Sequence, residues 1–413
     1  MRYCLCLILL GSSQCVLGQE SDWLGKWLSN NKVTAESVSK LVEQPAANSE
    51  LTKQQAMAVA TSLWEARRKI LREERAAEVK AREIKIGKMK MPFWYKVFGD
   101  KPEGGRSLFI SMHGGGGAPA RVNDQQYENQ KRLYEPEEGV YLVPRAPTNT
   151  WNLWHQGHID AFFDRIITNM IVFEDVNPNR VYIMGYSAGG DGVYQLAPRM
   201  ADRLAAAAMM AGHPNETTPD GLRNIGFTLH MGGNDGAYKR NQIAAQWKEK
   251  LAKLRTADPE GYTHEVVIHE GLGHWMKRKD AVAVPWMAKF TRKPFPKKVV
   301  WKQDDVAHSR FYWLGVKDED RKKRSRVVAS VKGNEITIEE SDLDKIQLML
   351  SDELLDLDKP ITVKSNGEEI WTGTAKRTVG KIAKSLLLRD DPAVAVSAIV
   401  DISLKPLSDE DVR

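Results

Sequence analysis

Between residues 100 and 290 the chain alternates short apolar runs with stretches of helical period. Ser107–Met112, Gly139–Val143, Val181–Met184, Leu204–Met210, Phe227–Met231 and Thr263–His269 read as strands. Ile159–Phe173 and Asn241–Leu254 read as amphipathic helices, the second with Ile243, Trp247 and Leu251 on one face. Strands this apolar are covered on both faces. Their alternation with helices predicts an α/β architecture, a mainly parallel sheet with helices on both sides.

The flanks follow other periods. Residues 20–82 read as helical, with Thr52-Lys53-Gln54-Gln55 forming a capping box ahead of a long run to Arg82. Arg67, Arg68, Lys69, Arg72 and Arg75 are interleaved with Glu73, Glu74 and Glu78, which predicts a solvated charged face. Met57, Leu63, Trp64 and Leu71 are the residues expected to dock that helix. After Pro296 the alternation becomes two-residue, with hairpin turns at Gly333-Asn334 and Asn366-Gly367. A helix at Val379–Leu388 and a last strand at Val396–Ile402 complete a small antiparallel β region.

Chemistry gathers at the ends of the central strands. Gly185-Tyr186-Ser187-Ala188-Gly189-Gly190 follows an apolar strand and fits G-x-S-x-G, the tight turn that lifts a serine hydroxyl between strand and helix. His113-Gly114-Gly115-Gly116-Gly117 follows another strand and exposes backbone N–H groups suited to an oxygen that becomes negative. Asp235 stands in Gly232-Gly233-Asn234-Asp235-Gly236 at the end of a third strand, where ligand-facing residues collect. Asp191 is its rival by proximity, but the helix that carries it points it poorly. Of the later histidines, His264 and His269 belong to a strand, and His308 lies beyond the α/β region. His274, in Gly271-Leu272-Gly273-His274-Trp275, is the candidate base. The chain order is serine, acid, histidine.

On these four motifs, about residues 90–295 resemble the α/β-hydrolase superfamily, and within it the secreted serine esterases that include polyhydroxybutyrate depolymerase-like and feruloyl-esterase-like proteins. The resemblance implies a Ser187–His274–Asp235 triad, acyl transfer through an acyl-enzyme, and an oxyanion hole from Gly115 and Ala188 with Gly116. It implies activity that fails in acid as His274 takes up a proton. Dienelactone-hydrolase-type relatives carry a cysteine nucleophile, and the serine here argues against that chemistry. The expected organisation is an export signal at 1–18, a helical segment at 19–82, an α/β-hydrolase catalytic domain at 83–296 and a β-rich domain at 300–408.

Trp151, Trp154 and His155 follow a strand end, and Trp275 follows the base. These four are the candidate substrate-binding residues. Core aromatics bracing a loop is the competing reading for the two upstream tryptophans.

Length and composition set the remaining bounds. A chain of 413 residues exceeds one ordinary core. A net charge of +6, with basic and acidic residues interspersed, gives no reason to expect nucleic acid as a partner. Arg2, the apolar stretch Tyr3–Leu10 and Val16-Leu17-Gly18 read as a cleavable export signal, which predicts a secreted or periplasmic protein. That stretch is too short to span a bilayer. Lipid attachment at Cys15 is a minor alternative. Cys4, Cys6 and Cys15 are the only cysteines, so the processed chain would carry no disulfide, thiol nucleophile or thiolate metal site. No spacing predicts a metal, nucleotide or flavin, so no cofactor is expected. The expected partner is a small or polymeric ester, with carbohydrate contact through the β-rich region as a further option. Two other functions fit the same sequence: a serine peptidase on this fold, and a non-catalytic binding protein that retains it.

Overall fold

The computed structural model describes residues 19–404. The expected export signal at 1–18, with the Cys15 alternative, lies outside the described residues, as does the tail from 405.

Three helices open the described chain: α1 (Gln19–Asn30), α2 (Ala35–Val42) and α3 (Lys53–Ala81). The capping box at α3 is formed: the Thr52 hydroxyl accepts from the Gln55 amide and the Gln55 side chain accepts from the Thr52 amide. Leu63 and Leu71 are buried as expected, but Met57 is 63% exposed and takes no part in docking. The charged face is less solvated than the sequence suggests. Arg67 and the buried Arg75 both reach Asp390, and Glu78 holds Arg165. These partners lie far away in sequence, which is why a local charge pattern did not reveal them.

Eight strands then build the central sheet: β1 (Glu83–Ile86), β2 (Met89–Phe98), β3 (Arg106–Met112), β4 (Gly139–Pro144), β5 (Val176–Tyr186), β6 (Ala206–Met210), β7 (Gly226–Gly232) and β8 (His264–His269). Their order is β1-β2-β4-β3-β5-β6-β7-β8. β1 and β2 form an antiparallel hairpin, β2 is antiparallel to β4, and the remaining pairs are parallel. The β1–β2 hairpin is an addition to the expected elements. Successive residues feed opposite faces: Leu108, Ile110 and Ile183 join one core, Phe109, Tyr182 and Met184 the other. Both faces are covered, by helices α4 (Ala120–Gln130), α5 (His158–Phe173), α6 (Ala188–Arg199), α7 (Arg240–Ala257) and α8 (Ala283–Met287). This is the α/β-hydrolase fold.

The C-terminal region carries β9 (Lys298–Lys302), β10 (Arg310–Phe311), β11 (Leu314–Gly315), β12 (Arg326–Lys332), β13 (Glu335–Ser341), β14 (Lys345–Leu350), β15 (Ile361–Ser365), β16 (Glu368–Gly373), α9 (Val379–Arg389) and β17 (Ala398–Ser403). They form two sheets, β16-β15-β13-β12-β9 and β10-β11-β14-β17, antiparallel except for the pair β13–β15. Tight turns join β12 to β13 and β15 to β16 at the two predicted positions. This region is not a detached module. Val299, Trp301 and Trp313 belong to the same apolar core as the central sheet. Helix α9 buries Val379, Ile382 and Leu386 against Leu41, Leu63 and Ile70 of the N-terminal helices. Buried charges cross the same seam: Asp391 receives both Arg203 and Arg292, at 2.8 and 2.9 Å. Breaking one member of such a group would leave an uncompensated buried charge.

Candidate active site

Ser187 sits between β5 and α6 with φ 58° and ψ −121°. That is the left-handed half of backbone space, costly for a residue with a side chain and tolerated only where the surroundings impose it. The surroundings here are backbone. A Cβ on Gly185 would come within 2.2 Å of the Gly189 carbonyl, so nothing larger than glycine fits under the turn. Ser187 is thereby held half-buried at the carboxyl end of β5.

His274 stands on the loop after β8. Its Nε2 lies 3.0 Å from the Ser187 Oγ, and its Nδ1 lies 2.7 Å from Asp235 Oδ2. Asp235 is buried, on the loop after β7. The two loops are tied to each other, since the Asn234 amide donates to the Leu272 carbonyl. Only an imidazole whose Nδ1 carries the proton donates to Asp235 and leaves Nε2 as acceptor for the serine hydroxyl. Arg240 places Nη1 3.9 Å from Asp235 Oδ1 and so shares that carboxylate with the histidine. Asp191 takes no part. Its carboxylate accepts from the His213 amide, and burial pushes its pKa up to about 6.

The glycine loop after β3 is stapled by one buried side chain, Asn123 of α4. Its Oδ1 accepts from the Gly116 amide at 2.9 Å; its Nδ2 donates to the Gly116 and Ala118 carbonyls and to Asn149 Oδ1. This corrects one expectation, because the Gly116 amide is already engaged and is not a free oxyanion donor. Gly115 remains. It adopts φ 113°, and a Cβ there would strike Asn123 Oδ1. Ala188 opens α6, where the first amides have no partner within the helix. His113 anchors the loop from below. Its Nδ1–H donates to the Gly114 carbonyl and its Nε2 accepts from the Ala146 amide. Burial drives its pKa down to about 3, so the ring is neutral.

A cavity of about 670 Å³ opens beside Ser187. Leu133, Tyr186 and Trp275 form an apolar wall, and Gln126, Asn129 and Arg132 from α4 and the turn after it form a polar one. Of the four expected binding residues, only Trp275, half exposed against Tyr186, lines it. Trp154 is a core residue: it is fully buried, and its indole N–H donates to the His113 carbonyl. His155 contributes its carbonyl to Arg199, with its ring edge-on to Trp151. Trp151 is 64% exposed and runs along Gly116 and Gly117 at the outer side of the glycine loop. The α4 wall escaped sequence reading because its polar residues look like an ordinary exposed helix face. The sole signal there was that α4 follows the glycine loop directly.

Among the described residues, Glu216, Asp304 and Asp305 bring carboxylate oxygens within 4.8 Å of one another. Glu216 and Asp304 border a second cavity with Arg199, Lys302 and Arg324. No helix of the described chain is long and apolar enough to cross a membrane.

Residues 144–289 match the dienelactone hydrolase family. The comparison with curated proteins returned no match. Solved structures similar to this chain include a thermostable esterase (16% identity, 51% of this chain and 62% of that chain, TM-score 0.40). They also include a feruloyl esterase module from Clostridium thermocellum (14%, 49% and 83%, 0.36) and a carboxylesterase from Mesorhizobium loti (16%, 50% and 99%, 0.35). The chain therefore spans less than two thirds of the first of these. Sheet order, the strand–serine–helix turn at Ser187 and the family match over 144–289 together give the central region of this chain the α/β-hydrolase fold.

Proposed function

We propose that this protein is a serine hydrolase of carboxylic esters. The observation that carries the reading is the continuous line from Asp235 through His274 to the Ser187 hydroxyl, with contacts of 2.7 and 3.0 Å. His274 Nε2 takes the hydroxyl proton as Oγ attacks the ester carbonyl, and Asp235 holds the ring and stabilises the imidazolium. The negative oxygen of the tetrahedral intermediate accepts from the Gly115 and Ala188 amides. His274 then returns its proton to the leaving alcohol, and water repeats the attack on the acyl-enzyme. The mixed walls of the cavity suit an ester with an apolar portion against Trp275 and a polar portion against α4. The sequence of residues 1–18 supports export, so we assign the activity to a secreted or periplasmic protein.

The test is covalent labelling by a fluorophosphonate, followed by mapping of the modified residue and a panel of 4-nitrophenyl esters and aminoacyl-anilides. Modification at Ser187 with ester turnover is the expected result. Rapid anilide cleavage beside negligible ester cleavage would move the assignment to a peptidase. No labelling and no turnover would move it to a binding protein.

A further inference from the structure

The C-terminal region sends one loop, residues 303–309, toward the hydrolase sheet. That loop is closed on itself. Gln303 Oε1 accepts from the His308 amide and Gln303 Nε2 donates to the His308 carbonyl, at 2.9 and 2.8 Å. Its tip meets α5 in two places. The Val306 methyls lie 3.3 and 3.5 Å from where a Cβ on Gly157 would stand. The His308 Nε2–H donates to Asp160 Oδ2 at 2.8 Å.

Asp160 passes the contact on. Its other oxygen receives Arg199 Nη2 at 2.5 Å. Burial opposes a charge on Asp160, and Arg199 with His308 outweighs it, leaving the carboxyl below its ordinary range. Arg199 is the last residue of α6, the helix that begins beside Ser187. Its guanidinium also donates twice to the His155 carbonyl, at 3.1 Å each. His155 belongs to the loop 150–157, whose Trp151 lies edge-on to the His155 ring and runs along Gly116 and Gly117. Asn123 closes the circuit by bonding both the glycine loop and Asn149.

We infer that the C-terminal region is a brace for the active site. His308 is the positioning residue that, through Asp160 and Arg199, fixes loop 150–157 and with it the glycine loop beside Ser187. The inference rests on the serine-hydrolase reading above and adds a role for a part of the chain that holds no reacting group. A hydrogen-bonded carboxylate–guanidinium pair is directional, so it transmits a position where apolar packing alone would allow sliding. Oxyanion donors displaced by a fraction of an ångström lose much of their effect on the transition state.

The test uses the full chain with His308→Ala, His308→Gln and Val306→Ala. Two rates are read well below each variant's melting temperature: kcat on a soluble 4-nitrophenyl ester, and the rate of Ser187 modification by a fluorophosphonate. Both reactions place charge on the same oxygen position. For His308→Ala both rates should fall about tenfold, with KM changing less than kcat. His308→Gln, whose amide still donates to Asp160, should recover most of the loss. Val306→Ala should give a smaller loss in the same two rates and serves where His308→Ala fails to fold. A lowered melting temperature with both rates at the wild-type level would show a purely structural contact and overturn the inference. A wild-type protein that neither turns over ester nor reacts at Ser187 would instead overturn the serine-hydrolase reading itself.

Discussion

The Tyr186 hydroxyl donates to the carbonyl of His274 at 2.6 Å and accepts from the Met276 amide at 2.9 Å. Tyr186 directly precedes Ser187, so one side chain ties the serine turn to the histidine loop. Its ring also lies edge-on to the His274 ring and against Trp275, so the two hydrogen bonds add direction to an existing contact. Tyr186→Phe keeps the ring against Trp275 and removes both bonds. We expect kcat to fall on the order of tenfold, with about 1–3 kcal/mol lost from stability. Steady-state kinetics and urea unfolding on the same preparation check both effects; an unchanged kcat would remove Tyr186 from the site.

Ser187→Ala should abolish turnover, by about a million-fold, and Asp235→Asn should lower kcat by roughly ten-thousand-fold because the histidine then meets the wrong hydrogen-bond partner. Stopped assays with a 4-nitrophenyl ester read both. Comparable turnover in Ser187→Ala and wild type would mean that the reaction happens elsewhere.

Burial holds three histidines below the ordinary imidazole range: His113 and His230 at about 3, His155 at about 4. Each binds a proton more readily in the unfolded chain. Their contribution to stability is whole above about pH 6.5 and is lost as pH falls toward these values, with a slope of up to about 1.4 kcal/mol per unit for each fully titrating group. Urea unfolding at pH 7.5, 6.0 and 5.0 should show a steadily falling free energy. A flat response across that interval would show that these rings are not held neutral.

Arg132 faces the cavity, and no carboxylate is among the described residues that line it. Esters bearing a negative group should be favoured over neutral ones of equal size. Arg132→Gln should erase the preference, about tenfold in kcat/KM, while neutral esters are cleaved as before. Matched 4-nitrophenyl hydrogen glutarate and valerate make the comparison. An equal effect on both would assign Arg132 a structural part.

Much of this was legible along the chain because it is local. The strand, glycine, serine, glycine order fixes the turn at Ser187, and two-residue alternation with Gly-Asn and Asn-Gly fixes the hairpins after 330. The meeting of Ser187, Asp235 and His274 followed from each standing at the end of its own parallel strand. What escaped was decided at a distance. Trp154 and Trp151 carry the same indole three residues apart, yet one is sealed against His113 and the other faces solvent. The Gly116 amide was lost to a side chain seven residues on. The charges of α3 found Asp390 and Arg165, which no window of sequence joins.

The shared core and the α9 contact have a consequence for how the molecule comes apart. Val299 and Trp313 pack with the hydrolase sheet, while Leu386 packs with the opening helices, so beginning, middle and end of the chain interlock. Calorimetry should record one melting event rather than a separate one for each region. A polypeptide cut after residue 296 would lack Asp391, the carboxylate that receives Arg203 and Arg292, and the excised α/β region would be less stable than the full chain.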